Sequence, residues 1–105
     1  MNNEIEKKAQ EMILKKFNEY GDPIDMLCHI AQKWTSRLPK NVNYSFSAAD
    51  IALMMSDLKT CRLDYKNKED SVIDKVAYDI LAQICKGSYR DKEFSINLKM
   101  RCLDA

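Results

Sequence analysis

Between Glu69 and Lys86 the apolar residues fall in adjacent pairs one helical turn apart: Val72 and Ile73, Val76 and Ala77, Ile80 and Leu81, Ile84 and Cys85. That spacing predicts a helix with an unusually wide apolar face, and a face so wide must touch more than one neighbour. The segment is therefore expected to run through the centre of the fold, with Gly87 ending it. Three more segments carry narrower stripes of the same period. Ile5, Ala9, Met12, Ile13, Phe17 and Tyr20 mark a helix over Glu4 to Tyr20, and Ile24, Leu27, Cys28, Ala31, Trp34 and Leu38 mark a second, reaching about Arg37. Gly21, Asp22 and Pro23 between them supply a C-terminal stop, an N-cap and a first-turn proline. Trp34 is expected to be the largest single contributor to the core.

A third helix is predicted from Ser47, where Ser47 and Asp50 have the spacing of a capping box, to about Leu63, with a polar turn from Asp64 to Lys68. Only two Gly and two Pro occur in 105 residues, which suits long helices joined by short connections. Two stretches depart from the helical period. Val42, Tyr44 and Phe46 alternate with polar residues, and so do Phe94, Ile96, Leu98, Met100 and Cys102. The expected architecture is thus all-α: a compact four-helix domain over residues 1–87, followed by a short extended C-terminal segment, 88–105, able to pair with 42–46 as a two-stranded ribbon. Such a ribbon needs support from the helical body or from a second copy of the chain, so a homodimer is one expectation.

Within the third and fourth helices, ionisable groups stand where apolar ones would suffice. Ile51, Met54, Met55 and Leu58 form a stripe that Arg62 continues, and a guanidinium facing inward requires an acidic partner. Asp70 and Asp74, one turn apart on the next helix, are the nearest acids, with Tyr78 one turn further and Lys59 close by. Arg62, Asp70, Asp74, Tyr78 and Lys59 form the expected ion-pair or ligand cluster. Asp70 and Asp74 also have the minimum chemistry for a magnesium site. A bidentate Arg62–carboxylate pair locking the two helices together is favoured over that.

Other chemistries find little support. The net charge is +1, and the one basic cluster, Lys59, Arg62, Lys66 and Lys68, is interleaved with Asp57, Asp64, Glu69 and Asp70, so nucleic acid is not an expected partner. Cys28, Cys61, Cys85 and Cys102 are scattered, without a CxxC pair or a secretory leader, and point to a reducing cytoplasm. Buried, hydrophobe-like thiols are expected at Cys28 and Cys85. The longest apolar runs are far short of a membrane span. No glycine-rich phosphate loop or Cys–His dyad is present, and no cofactor is expected unless magnesium binds.

The order Tyr20-Gly21-Asp22-Pro23, then Ile30, Ala31 and Trp34, then Asp50 to Leu63, then Lys68 to Tyr78 resembles a family of short, uncharacterised helical proteins encoded by phages and prophages. Tyr20, Gly21, Asp22, Asp50, Lys59, Arg62, Asp70, Asp74 and Tyr78 are among the matching positions, while Ala77 stands where the family usually has glycine. More distantly, the two helices with an acidic pair look like the all-α nucleotide pyrophosphohydrolases of the MazG type, although the acidic spacing differs from their magnesium-binding clusters. The first resemblance implies a phage or prophage accessory protein in the cytoplasm of a bacterial host, and carries no activity with it. The missing catalytic signature, the absent basic patch and the alternation near the C-terminus lead to the expectation that it binds a host or defence protein without catalysis. Tyr44, Phe46, Phe94, Ile96 and Leu98, in the loop and tail, are its expected contact residues. The second implies the alternative, magnesium-dependent nucleoside triphosphate pyrophosphohydrolysis or nucleotide binding.

Overall fold

The wide-faced helix is the axis of the structure. A computed structural model describes residues 3–65 and 69–104, in five helices: α1 (Asn3–Tyr20), α2 (Pro23–Ser36), α3 (Ala48–Tyr65), α4 (Glu69–Lys86) and α5 (Lys92–Asp104). Helix α4 packs on both α3 and α1, and buries Ile73, Ala77, Ile80, Leu81, Ala82 and Ile84. Helix α2 closes the bundle against α3 and α1. One core cluster runs through all of them, from Ala9 and Ile13 through Leu27, Ala31, Ile51 and Ala52 to the α4 residues, with Trp34 half-buried against it. Lys66 and Lys68 of the basic cluster, and the middle of the turn from Asp64, lie outside the described residues.

The helix ends follow the punctuation in the sequence. Gly21 has φ +90° and its amide donates to the Phe17 carbonyl at 2.8 Å, closing α1. The Asp22 carboxylate then accepts the amides of Ile24 and Asp25 at 2.8 and 3.1 Å, opening α2. At the end of α4 the Gly87 amide donates to Ile84 and the Ser88 amide to Gln83, the paired bonds of a Schellman motif, with Gly87 at φ +74°. The capping box of α3 is closed in both directions: the Asp50 amide donates to Ser47 Oγ at 3.0 Å, and the Ser47 amide to Asp50 Oδ2 at 2.9 Å.

The two alternating segments do not form a ribbon. Among the described residues there is no strand, and 88–105 is not an extended tail. The Asp91 carboxylate caps a fifth helix by accepting the Phe94 amide at 3.0 Å, and α5 turns Phe94 and Leu98 into the same core as the other helices. Alternation misleads here because Phe94, Leu98 and Cys102, every second member of the apolar series, also lie four apart on one helical stripe. The connection into α5 is tied to α1. The Tyr89 hydroxyl donates to Glu6 Oε1 at 2.6 Å, and Gln10 Nε2 donates both to that hydroxyl and to Asp91 Oδ2, each at 2.9 Å. Residues 42–47 are irregular. Their polar groups bond the neighbouring helices instead, with the Tyr44 hydroxyl donating to Asp50 Oδ2 at 2.6 Å and the Phe46 amide to Thr35 Oγ1 at 2.8 Å.

Candidate functional site

The expected ion-pair cluster is assembled with a different cation. Lys59 Nζ, not the Arg62 guanidinium, reaches Asp74 Oδ2 at 3.2 Å, with the two side chains only 15% and 18% exposed. Arg62 and Asp70 are both exposed, and among the described residues Arg62 has no acidic partner. Arg62 projects within about 20° of the fully buried Ile51, but three turns further along, where that side of α3 has run past the core. That helix has apolar residues on two faces, and the face it buries carries Ala49, Ala52 and Ser56, with Ile51 on its flank. On a 100° projection Lys59 continues this small-residue face, one turn beyond Met55 and Ser56. Met54 and Leu58 are left outside.

Asp74 and Tyr78 stand one turn apart on α4 and form the wall of a cleft of about 320 Å³. The C-terminal half of α1 supplies Met12, Ile13, Lys16 and Tyr20, the turn supplies Gly21 and Asp22, and α2 supplies Pro23, Met26 and Leu27. Ala77 and Leu81 of α4 complete the floor with Ile13 and Leu27, all buried. Burial, and next to it the charge of Asp74, holds the Tyr78 phenol above its usual range, so it stays a neutral donor across ordinary pH. Asp22 is occupied by the α2 amides, which leaves Tyr78, Asp74 with Lys59 paired to it from outside the lining, and the exposed Lys16 as the polar edge of an apolar cavity. Such a site can seat an apolar group and orient it by a few polar contacts.

The other expected site residues are dispersed. Phe94 and Leu98 are buried in the core and cannot meet a partner, which corrects their assignment as contact residues. Ile96 is exposed on the opposite side of α5, Tyr44 is exposed but bonded to Asp50, and Phe46 is half-buried. Cys28 is exposed rather than buried, and lines a shallow depression of α2, α4 and α5 with Cys85 and Cys102. Burial pushes the Cys85 thiol up, and burial with a hydrogen bond to Asp22 pushes Cys102 up to about 12, both of which favour the protonated thiol. Among the described residues no group of three or more His, Cys, Asp or Glu is placed to hold a metal ion.

The profile of a domain of unknown function, DUF6378, matches residues 4–86. The chain belongs to the DUF6378 family. The match spans α1 to α4 and stops short of α5, so the cleft and its Lys59–Asp74 edge lie wholly within the DUF6378 domain. No curated protein and no solved structure matches the chain. Among the positions that carry the sequence resemblance, Tyr20, Gly21, Asp22, Asp74 and Tyr78 all line this one cleft of the DUF6378 domain. Sequence periodicity could not find Met12, Lys16 and Met26 as site residues, because helical stripes mark what is apolar and not where two helices part.

Proposed function

We propose that this protein is a phage- or prophage-type accessory protein of the bacterial cytoplasm, acting without catalysis by binding a host or defence protein. The cleft between α1, α2 and α4 is the contact site. The observation that carries the reading is the composition of the cleft: a buried apolar floor, two methionines in its walls, and exposed Tyr20 and Met26 at its mouth. Methionine side chains adapt to the shape of an incoming group, and an apolar mouth continuous with an apolar floor suits a bulky side chain presented by a protein segment. No described helix is long and apolar enough to cross a membrane.

The test is capture from a host lysate with the full chain, compared with Met26→Asp at the mouth and Ala77→Leu on the floor, followed by cross-linking to map the contact. A partner held by the wild type, cross-linked at the cleft and lost with either variant, supports the reading. Equal capture by all three proteins refutes it.

One observation favours a second reading, magnesium-dependent hydrolysis of nucleoside triphosphates. Asp74 is a carboxylate in a cleft that also holds the cationic Lys16, a combination that suits a metal-bound phosphate. Against it, Lys59 neutralises Asp74 and Asp70 is exposed apart from it. Pyrophosphate release from nucleoside triphosphates with magnesium, abolished in Asp74→Asn, would establish this activity; equal background in both proteins would end it.

A further inference from the structure

Helix α3 leaves a second apolar face outside the bundle. Met54, Leu58, Cys61 and Tyr65 follow one another at steps of four, three and four residues, and all are exposed: Met54 38%, Leu58 44%, Tyr65 92%. Single exposed apolar side chains are ordinary, but a continuous seam is not. This spacing is that of the a and d positions of a heptad, the register in which one helix packs along another. Ala49, Ala52 and Ser56 are buried on the other side of the helix, and Ile51, buried on the seam's own side, lies N-terminal to its first residue, so occupying the seam would not disturb the core.

The charges beside the seam say what fits it. Asp50, Asp57 and Asp64, seven residues apart, run along one flank, and Arg62 stands on the other. In a two-fold parallel pair, each flank faces the opposite flank of its mate five residues on. Asp57 of each copy then meets Arg62 of the other. An antiparallel pair would instead set the aspartate flank against the same flank of its mate, and three like charges would oppose three. The surface is complementary to itself in one orientation.

We infer that two copies of the chain associate in parallel through the outward face of α3, each of Met54, Leu58, Cys61 and Tyr65 packing on its symmetry mate and Asp57 pairing with Arg62 across the seam. The inference is independent of the cleft, which opens on α1, α2 and α4. The seam covers about 16 Å of helix, at the small end of protein interfaces, so the dimer is weak and depends on concentration. Exposed charge pairs contribute little affinity and set the orientation.

Sedimentation of the full chain over rising concentration tests this. The mass is expected to rise from 12.2 kDa towards twice that value. Leu58→Asp, or Met54→Glu should that variant fail to fold, is expected to weaken association at least about tenfold with the helix content unchanged. Asp57→Arg alone is expected to weaken the dimer, and adding Arg62→Asp to restore it. Diamide, which takes up the two thiol hydrogens, is expected to join Cys61 to Cys61 of the second copy, seen as a linked peptide by mass spectrometry. A chain that stays monomeric leaves the seam to some other protein and overturns the inference. So do a dimer indifferent to Leu58→Asp, a charge reversal that is not restored, and a dimer without the Cys61 cross-link.

Discussion

The sharpest test of the architecture is a pair of truncations in α5, Leu98→Ala and Ile96→Ala. In an extended tail these two residues would point to the same side and respond alike. In the helix they part: Leu98 is fully buried in the core cluster, whereas Ile96 is 57% exposed. Removing a fully buried leucine to alanine loses the transfer energy of its methyl and methylene groups and leaves a cavity, together about 3 kcal/mol. A domain of this size has roughly 5 to 15 kcal/mol of stability, so the loss is a large share of the whole. With a urea m-value of about 1 to 3 kcal/mol/M, the midpoint should fall by at least about 1 M. Ile96→Ala should stay within about 0.5 kcal/mol of the wild type. Urea unfolding followed by circular dichroism measures both. Equal shifts for the two variants, or an unchanged midpoint for Leu98→Ala, would refute the placement of α5 in the core.

Arg62→Ala is expected to change stability by no more than about 0.5 kcal/mol, whereas Lys59→Met, which strips the ammonium from a mostly buried carboxylate, should cost roughly 1 to 3 kcal/mol, between the values for exposed and fully buried pairs. Chemical denaturation of the two variants compares them, and a larger loss for Arg62→Ala would reverse the assignment. The hydroxyl of Tyr44 and the Ser47 amide hold the Asp50 carboxyl below its usual range, and the Phe94 amide and Gln10 do the same for Asp91. Both groups therefore add stability that is complete above the ordinary value of 3.8 and is lost as the pH falls through the depressed values, so Asp50→Asn with Asp91→Asn should flatten the acid limb of a melting-temperature profile. Gly21→Ala meets no atom within 4 Å but must hold φ +90°, so it should cost about 1 to 2 kcal/mol, and Gly21→Asn less, because asparagine tolerates that region. Equal melting points for these two variants would show that the turn does not depend on the left-handed conformation.

Much of the fold is legible locally. The paired apolar residues of α4, the Gly21–Asp22–Pro23 punctuation and the Ser47–Asp50 box each specify their own structure within a few residues, and each is present as read. In the tail a two-residue and a four-residue period coincide on alternate members of one series, so the pattern alone does not separate strand from helix. What selects the helix is Asp91 capping its first turn and Leu98 reaching the core, and the second of these is a tertiary fact. The cleft is less legible still. Tyr20 and Asp22 meet Asp74 and Tyr78 only because α1 packs along α4, and no local pattern records where that packing opens.

Helix α3 sets which cation reaches α4. When a helix carries apolar residues all round, periodicity names two candidate inner faces, and bulk favours the one with Ile51, Met54, Met55 and Leu58. The bundle takes Ile51 and part of Met55 from that stripe, but turns in the small residues Ala49, Ala52 and Ser56 and leaves Met54 and Leu58 outside. Small side chains let two helix backbones approach closely, and α4 then fills the space with its own isoleucines and Leu81. That choice carries Lys59 towards α4, where its long stem runs along apolar surface and its ammonium finds Asp74 at the edge of the cleft. It also leaves Met54, Leu58, Cys61 and Tyr65 outside, and Arg62, past the buried stretch of its own side, is exposed beside them. The same rotation of one helix therefore sets the polar edge of the cleft and exposes the seam, so the large apolar side chains missing from the interior of α3 are those available to a second copy.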